Sequence, residues 1–174
     1  MFLKITKPID NFLNGITMYR LMLYFLIFLW IVVSALSFFN LLPFDFLQLV
    51  SSTIAILSTC YITNKFFSYV FKIPTNLESV YISGLILVFL ILPAKTVPEF
   101  VFAITAGVLA MASKYILAIH KKHIFNPAAI AVFATSLFSL GYASWWVGNQ
   151  WTLPVILIGG LLIVKKIKRF RDER

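Results

Sequence analysis

The stretch KYILAIHKKHIFNPAA, Lys114 to Ala129, gathers an ammonium, two imidazoles and a side-chain amide in a short span. Asn126 followed by Pro127 has the pattern of a helix N-cap with proline at the first helical position, where its missing N–H costs nothing. A helix starting there sets unpaired N–H groups and a partial positive charge beside Lys121, Lys122 and His123. Two readings stay open at this point: a place for an anionic or electron-rich ligand, or a plain helix start. His120 and His123 are three residues apart, yet no carboxylate or third nitrogen ligand lies near in sequence, so headgroup contact is favoured over a metal and no metal site is assigned. A bis-histidine haem is disfavoured too, because both histidines lie toward one membrane face.

Ser83 and Gly84 form the second candidate, since they interrupt a short apolar run of the kind that lines cofactor or substrate sites. Gly159 and Gly160 suit close helix packing instead. Cys60 is the single cysteine, so this chain alone builds no disulfide, CxxC pair or four-cysteine metal site. No GxGxxG, P-loop, HExxH or G-x-S-x-G pattern occurs, so no catalytic residue is assigned and any chemistry belongs to a bound cofactor.

The elements that must position these residues follow from composition. The 174 residues are 61% hydrophobic and 12% charged, with a mean hydropathy of +0.95, which excludes an ordinary water-soluble domain. A spanning helix needs about 20 mostly apolar residues. Such runs predict six transmembrane helices over about 21–39, 46–62, 79–92, 100–119, 127–147 and 152–164, a single all-α membrane domain, followed by a basic cytoplasmic tail over 165–174. The third run is short or broken, since its residues rise only about 20 Å as a helix against a hydrocarbon core of about 30 Å. With both termini cytoplasmic, fourteen of the fifteen Lys and Arg fall on one side, Lys114 by snorkelling from the fourth helix, and only Lys95 lies outside. That bias supports six crossings and N-in/C-in orientation. The formal charge of +9 is thereby matched to anionic lipid headgroups and not to nucleic acid. Trp145, Trp146 and Trp151 are expected in an interfacial aromatic belt at the outer face. Ionisable groups are missing from the middle of every predicted span, which argues against a self-contained proton pump.

Two of these segments also carry a family likeness. ESVYISGLILVFLILP, Glu78 to Pro93, and KYILAIHKKHIFNPAA, with Asn126 twelve residues after Lys114, resemble the RnfD/NqrB family of membrane proteins, found in Rnf-type electron transport complexes and in the sodium-translocating NADH:quinone oxidoreductase. GGLLIVKKI is a weaker third match. The resemblance implies a helical component of the bacterial inner membrane that holds flavin (riboflavin or FMN, non-covalently) and passes electrons to or from a soluble NAD(P)H-oxidising flavoprotein or other electron transport subunits, in some members coupled to sodium movement. The position that matches the family's flavin-holding N-P-A signature is Asn126, and the candidate cofactor-binding residues are Asn126, His123, Lys114, Ser83, Gly84 and Pro127. The chain departs from the family at His123, where a second Asn is usual, and at Ala118, Ile119 and Lys121, where glycines are usual. GYASWWVGNQWT replaces the family's S-G-A-T-like flavinylation sequence, so no covalent FMN is expected. The likeness covers about the first half to two thirds of full family members, which implies a homodimer or a further subunit.

Two other functions compete. A small-solute or ion transporter or channel draws on the short third span and the hydroxyls of Ser51, Ser52, Thr53, Ser58 and Thr59. A membrane anchor for a reductase draws on the basic tail.

Overall fold

The computed structural model describes residues 15–119, 122–123, 126–137 and 143–172. Within them are six helices: α1 (Met18–Phe38), α2 (Phe46–Phe71), α3 (Leu77–Leu90), α4 (Val97–Ile116), α5 (Pro127–Leu137) and α6 (Leu153–Asp172). Between α4 and α5 the chain forms a small antiparallel ladder, β1 (Ala118–Ile119) and β2 (Lys122–His123), pairing Ala118 with His123 and Ile119 with Lys122.

Three helices, α1, α2 and α4, are long and apolar enough to cross a membrane. Their outer surfaces carry exposed Phe28, Ile31, Ile54, Val101 and Ile104, a surface suited to lipid and costly in water. The shorter α3 is apolar around its whole circumference, with Val80, Leu85, Leu87, Val88 and Phe89 all buried. A helix of that kind belongs inside a bundle. It packs against α1 on one side and α2 on the other, while α4 packs on α2 and α5 on α4.

Hydrogen bonds fix which termini share an end. Arg20 at the start of α1 donates to Glu78 at the start of α3 at 2.9 Å. Lys114 near the end of α4 reaches Ser79 in α3, and Tyr115 reaches Asn64 late in α2. This is the basic end. At the other, tryptophan-rich end, Ser37 donates to the Phe44 carbonyl, the Ala94 amide donates to Ser52, and the Ser144 amide donates to the Leu90 carbonyl. Helices α1 to α4 therefore alternate in direction.

Several element limits differ from the sequence-based ones. α2 continues past residue 62 to Phe71 and closes with Lys72 in a left-handed conformation, φ 53°. α3 is short but unbroken, capped by Asn76, whose side chain accepts from the Ser79 amide. It stops at Leu90 because Pro93 forces the preceding residues into extended backbone. α5 ends at Leu137, residues 138–142 lie outside the described residues, and 143–152 are largely non-helical. α6 carries the basic tail in helical form as far as Asp172.

The 143–152 segment changes the role of one tryptophan. Trp145 and Trp151 are exposed, as a belt requires. Trp146 is instead half-buried, and its indole N–H donates to the Val88 and Ile91 carbonyls at 3.0 and 2.9 Å. The last turn of α3 leaves carbonyls without helical partners, and this indole satisfies two of them while its ring packs edge-on against Phe44.

Candidate functional site

The polar side chains at the basic end converge from three helices. On α2, Cys60 and Asn64 are four residues apart and so share one helical face. Both are buried: Cys60 at 0% and Asn64 at 3% exposure. Cys60 sits where the three helices come closest. A Cβ at Gly84 of α3 would press on Leu57 and lie beside Cys60, and one at Gly107 of α4 would meet Thr59 and Cys60. Two glycines thus let the backbones of α3 and α4 approach α2 on opposite sides of one sulfur. Cys60 Sγ lies 3.9 Å from the Gly107 carbonyl.

One turn nearer the basic end, the interior turns polar. Tyr115 donates its hydroxyl to Asn64 Oδ1 at 3.0 Å and approaches the Asn64 carbonyl at 3.2 Å. The ring of Tyr115 stacks on Phe67 and Phe71, each at 5.7 Å between centroids. Asn64 Nδ2 is buried with no hydrogen-bond partner among the described residues.

Lys114 does not snorkel outward. It is half-buried, and its Nζ donates to the Ser79 carbonyl at 2.8 Å and to Ser79 Oγ at 3.2 Å. Ser83 Oγ donates to the same carbonyl at 2.9 Å. These oxygens are neutral, and no ion pair to Lys114 occurs among the described residues. The nearby carboxylate of Glu78 is engaged with Arg20. The inward course follows from a tertiary contact: the first turn of α3 presents Ser79 to the last turn of α4, within reach of a lysine stem.

Of the residues singled out in the sequence, the structure therefore joins Lys114 and Ser83 through Ser79 and places Gly84 one residue further along α3. Gly84 faces α2, where it serves a helix crossing. Asn126 and Pro127 take up the cap position the sequence expects: Asn126 Oδ1 accepts from the Ala128 amide at 3.0 Å, and Pro127 opens α5. Among the described residues, Lys114 bonds to Ser79 and not to this cap. His123 lies in β2, and His120 falls outside the described residues. Sequence reasoning missed Asn64, Tyr115 and Ser79. The signal available for Asn64 was its place four residues after Cys60, on the same face of an extended helix.

The arrangement has donors in excess of acceptors. Such a site favours a ligand that brings oxygen or nitrogen lone pairs, with one positive charge to match. No family model, curated protein or solved structure matches this chain.

Four of the five hydroxyls singled out on α2 make hydrogen bonds within the protein. Ser51, Ser58 and Thr53 donate to carbonyls of their own helix, Thr53 also accepts from the Trp30 indole, and Ser52 accepts from Ala94. Ser52 and Thr53 in this way tie α2 to the loop after α3 and to α1.

Proposed function

We propose that this chain is a multi-pass component of a bacterial inner membrane that crosses the bilayer six times, with its basic end in the cytoplasm, and holds a non-covalent flavin in an electron transport system. The observation that carries the reading is the inward Lys114 ammonium, held among the described residues by the neutral oxygens of Ser79. An ammonium turned into the protein with neutral partners keeps charge and donor capacity that a ligand with lone pairs can satisfy.

The alternating directions of α1 to α4 fit the first four of these crossings, and the excess of Lys and Arg toward one end fits the orientation. The residues fit a flavin by the chemistry of their donors: the orphaned Asn64 amide and the Lys114 ammonium seek the lone pairs that a flavin carries. When bound, the flavin supplies the one- and two-electron chemistry that the side chains lack. Lys114 would offset negative charge on the ligand, Asn64 would orient it, and Tyr115 holds Asn64 from behind. The stacked Phe67, Phe71 and Tyr115 limit water at that end. The electron donor in this reading is a soluble NAD(P)H-oxidising flavoprotein meeting the basic end, where Arg20 and Lys72 are exposed. A second copy of the chain or a further subunit would complete the path.

The test is the absorption spectrum of detergent-purified protein, with any flavin extracted and identified. Yellow protein with about one flavin per chain is expected. Colourless protein that takes up neither riboflavin nor FMN would defeat the proposal.

A further inference from the structure

We propose that the basic end of the bundle holds a phosphate group, with Lys114 and Asn64 as its donors. Three observations lead there. First, the Lys114 ammonium has three N–H donors and two neutral contacts, both to Ser79, so a donor and a full positive charge are left over. Second, Asn64 is 3% exposed and its Nδ2 has no partner among the described residues, and a buried amide N–H left unmet is unfavourable. Third, both lie at one end of the bundle: Lys114 and Tyr115 adjoin in the last turn of α4, and from there Lys114 reaches Ser79 of α3 while Tyr115 reaches Asn64 of α2. The amino end of α3 adds partial positive charge nearby.

The missing partner is thus an anion with several acceptor oxygens. A phosphate meets that description, and lysine binds phosphate as a point charge. The depth agrees as well, because Lys114 lies in the last turn of a helix of membrane-spanning length, where phospholipid phosphates are found. Glu78 does not oppose an anion there, since Arg20 neutralises it. The phosphate can come from a phospholipid headgroup or from FMN, so the inference does not depend on the flavin reading.

The experiment uses the full chain in a phosphate-free detergent buffer. Its thermal unfolding midpoint is followed with inorganic phosphate, FMN or riboflavin, and in nanodiscs of phosphatidylglycerol or of a glycolipid without phosphate. FMN or phosphatidylglycerol should raise the midpoint, whereas riboflavin and the glycolipid should not. Lys114→Met should weaken the response by about tenfold or more. Asn64→Asp provides a second arm, because it supplies an internal anion at the same end of the bundle as Lys114. That variant should unfold near the wild-type temperature and no longer respond to phosphate.

A response to FMN alone identifies a soluble phosphate as the ligand. A response to phosphatidylglycerol alone identifies the lipid and, with no flavin bound, removes the flavin reading while upholding this one. Riboflavin binding without any phosphate response overturns the inference and leaves the flavin reading standing. It is likewise overturned if no phosphate-bearing probe shifts the wild type, or if both variants respond as the wild type does.

Discussion

Tyr115 of α4 and Asn64 of α2 are joined by a hydrogen bond of 3.0 Å from the phenol hydroxyl to the amide Oδ1. The bond closes the basic end of the bundle and holds the Asn64 side chain against the protein interior. Tyr115→Phe keeps the stack on Phe67 and Phe71 and removes only the hydroxyl. Its expected cost is about 1–2 kcal/mol, for a buried acceptor left without its donor. Denaturant unfolding in detergent measures it, and a loss below a few tenths of that scale would show that the bond does not hold the helices together.

Trp146→Phe should be the more damaging change. The ring can still meet Phe44, but the Val88 and Ile91 carbonyls both lose the indole donor. Two under-satisfied acceptors at the end of a buried helix predict a loss of about 2–4 kcal/mol. A matched Trp145→Phe change, at an exposed position, should cost less than about 0.5 kcal/mol. Thermal scans of the two variants provide the comparison.

The adjacent glycines of α6 should separate sharply. A Cβ on Gly159 would overlap the ring of Phe25 in α1, whereas one on Gly160 meets nothing within 4 Å. Gly160→Ala should therefore be neutral or gain up to about 1 kcal/mol from helix propensity. Gly159→Ala should lower the unfolding midpoint, and Phe25→Ala in the same chain should restore part of the loss. Failure of that rescue would mean that α6 does not rest on α1 at this point.

Orientation can be read with thiol reagents. Cys60 is fully buried and should stay unlabelled by a membrane-impermeant maleimide in intact cells and in inverted vesicles alike. Lys95→Cys, exposed beyond α3, should label only in intact cells, and Lys72→Cys, exposed past α2, only in inverted vesicles. Labelling of both from one side would rule out the alternating six-crossing arrangement.

The parts legible in the sequence were those fixed by long-range averages of hydropathy. The apolar runs locate all six helices, and Asn126-Pro127 marks the start of α5 because a cap is a local event. Ends set by tertiary contact were not legible. Hydropathy falls at Asn64 and Lys65, which closes a span on any sliding count, yet α2 continues because Asn64 turns inward to Tyr115. Trp146 has the composition of an interfacial anchor, and only its contact with α3 separates a helix cap from a belt. Lys114 behaved likewise: a lysine near a helix end is expected to reach for water, and the choice of Ser79 depends on a helix 35 residues away in sequence. The candidate site was legible as Lys114 and Ser83, while its donor on α2 was hidden by that early boundary.

The burial of α3 bears on how the bundle responds to its host membrane. Its 14 residues rise about 21 Å, well short of the thickness of the oily layer, but half of them are buried in protein. Thickening or thinning the lipid consequently strains the longer helices around it, whose tilt can adjust. The short central pillar, together with the Ser79 and Ser83 oxygens it carries, stays in register with Lys114 while its neighbours lean.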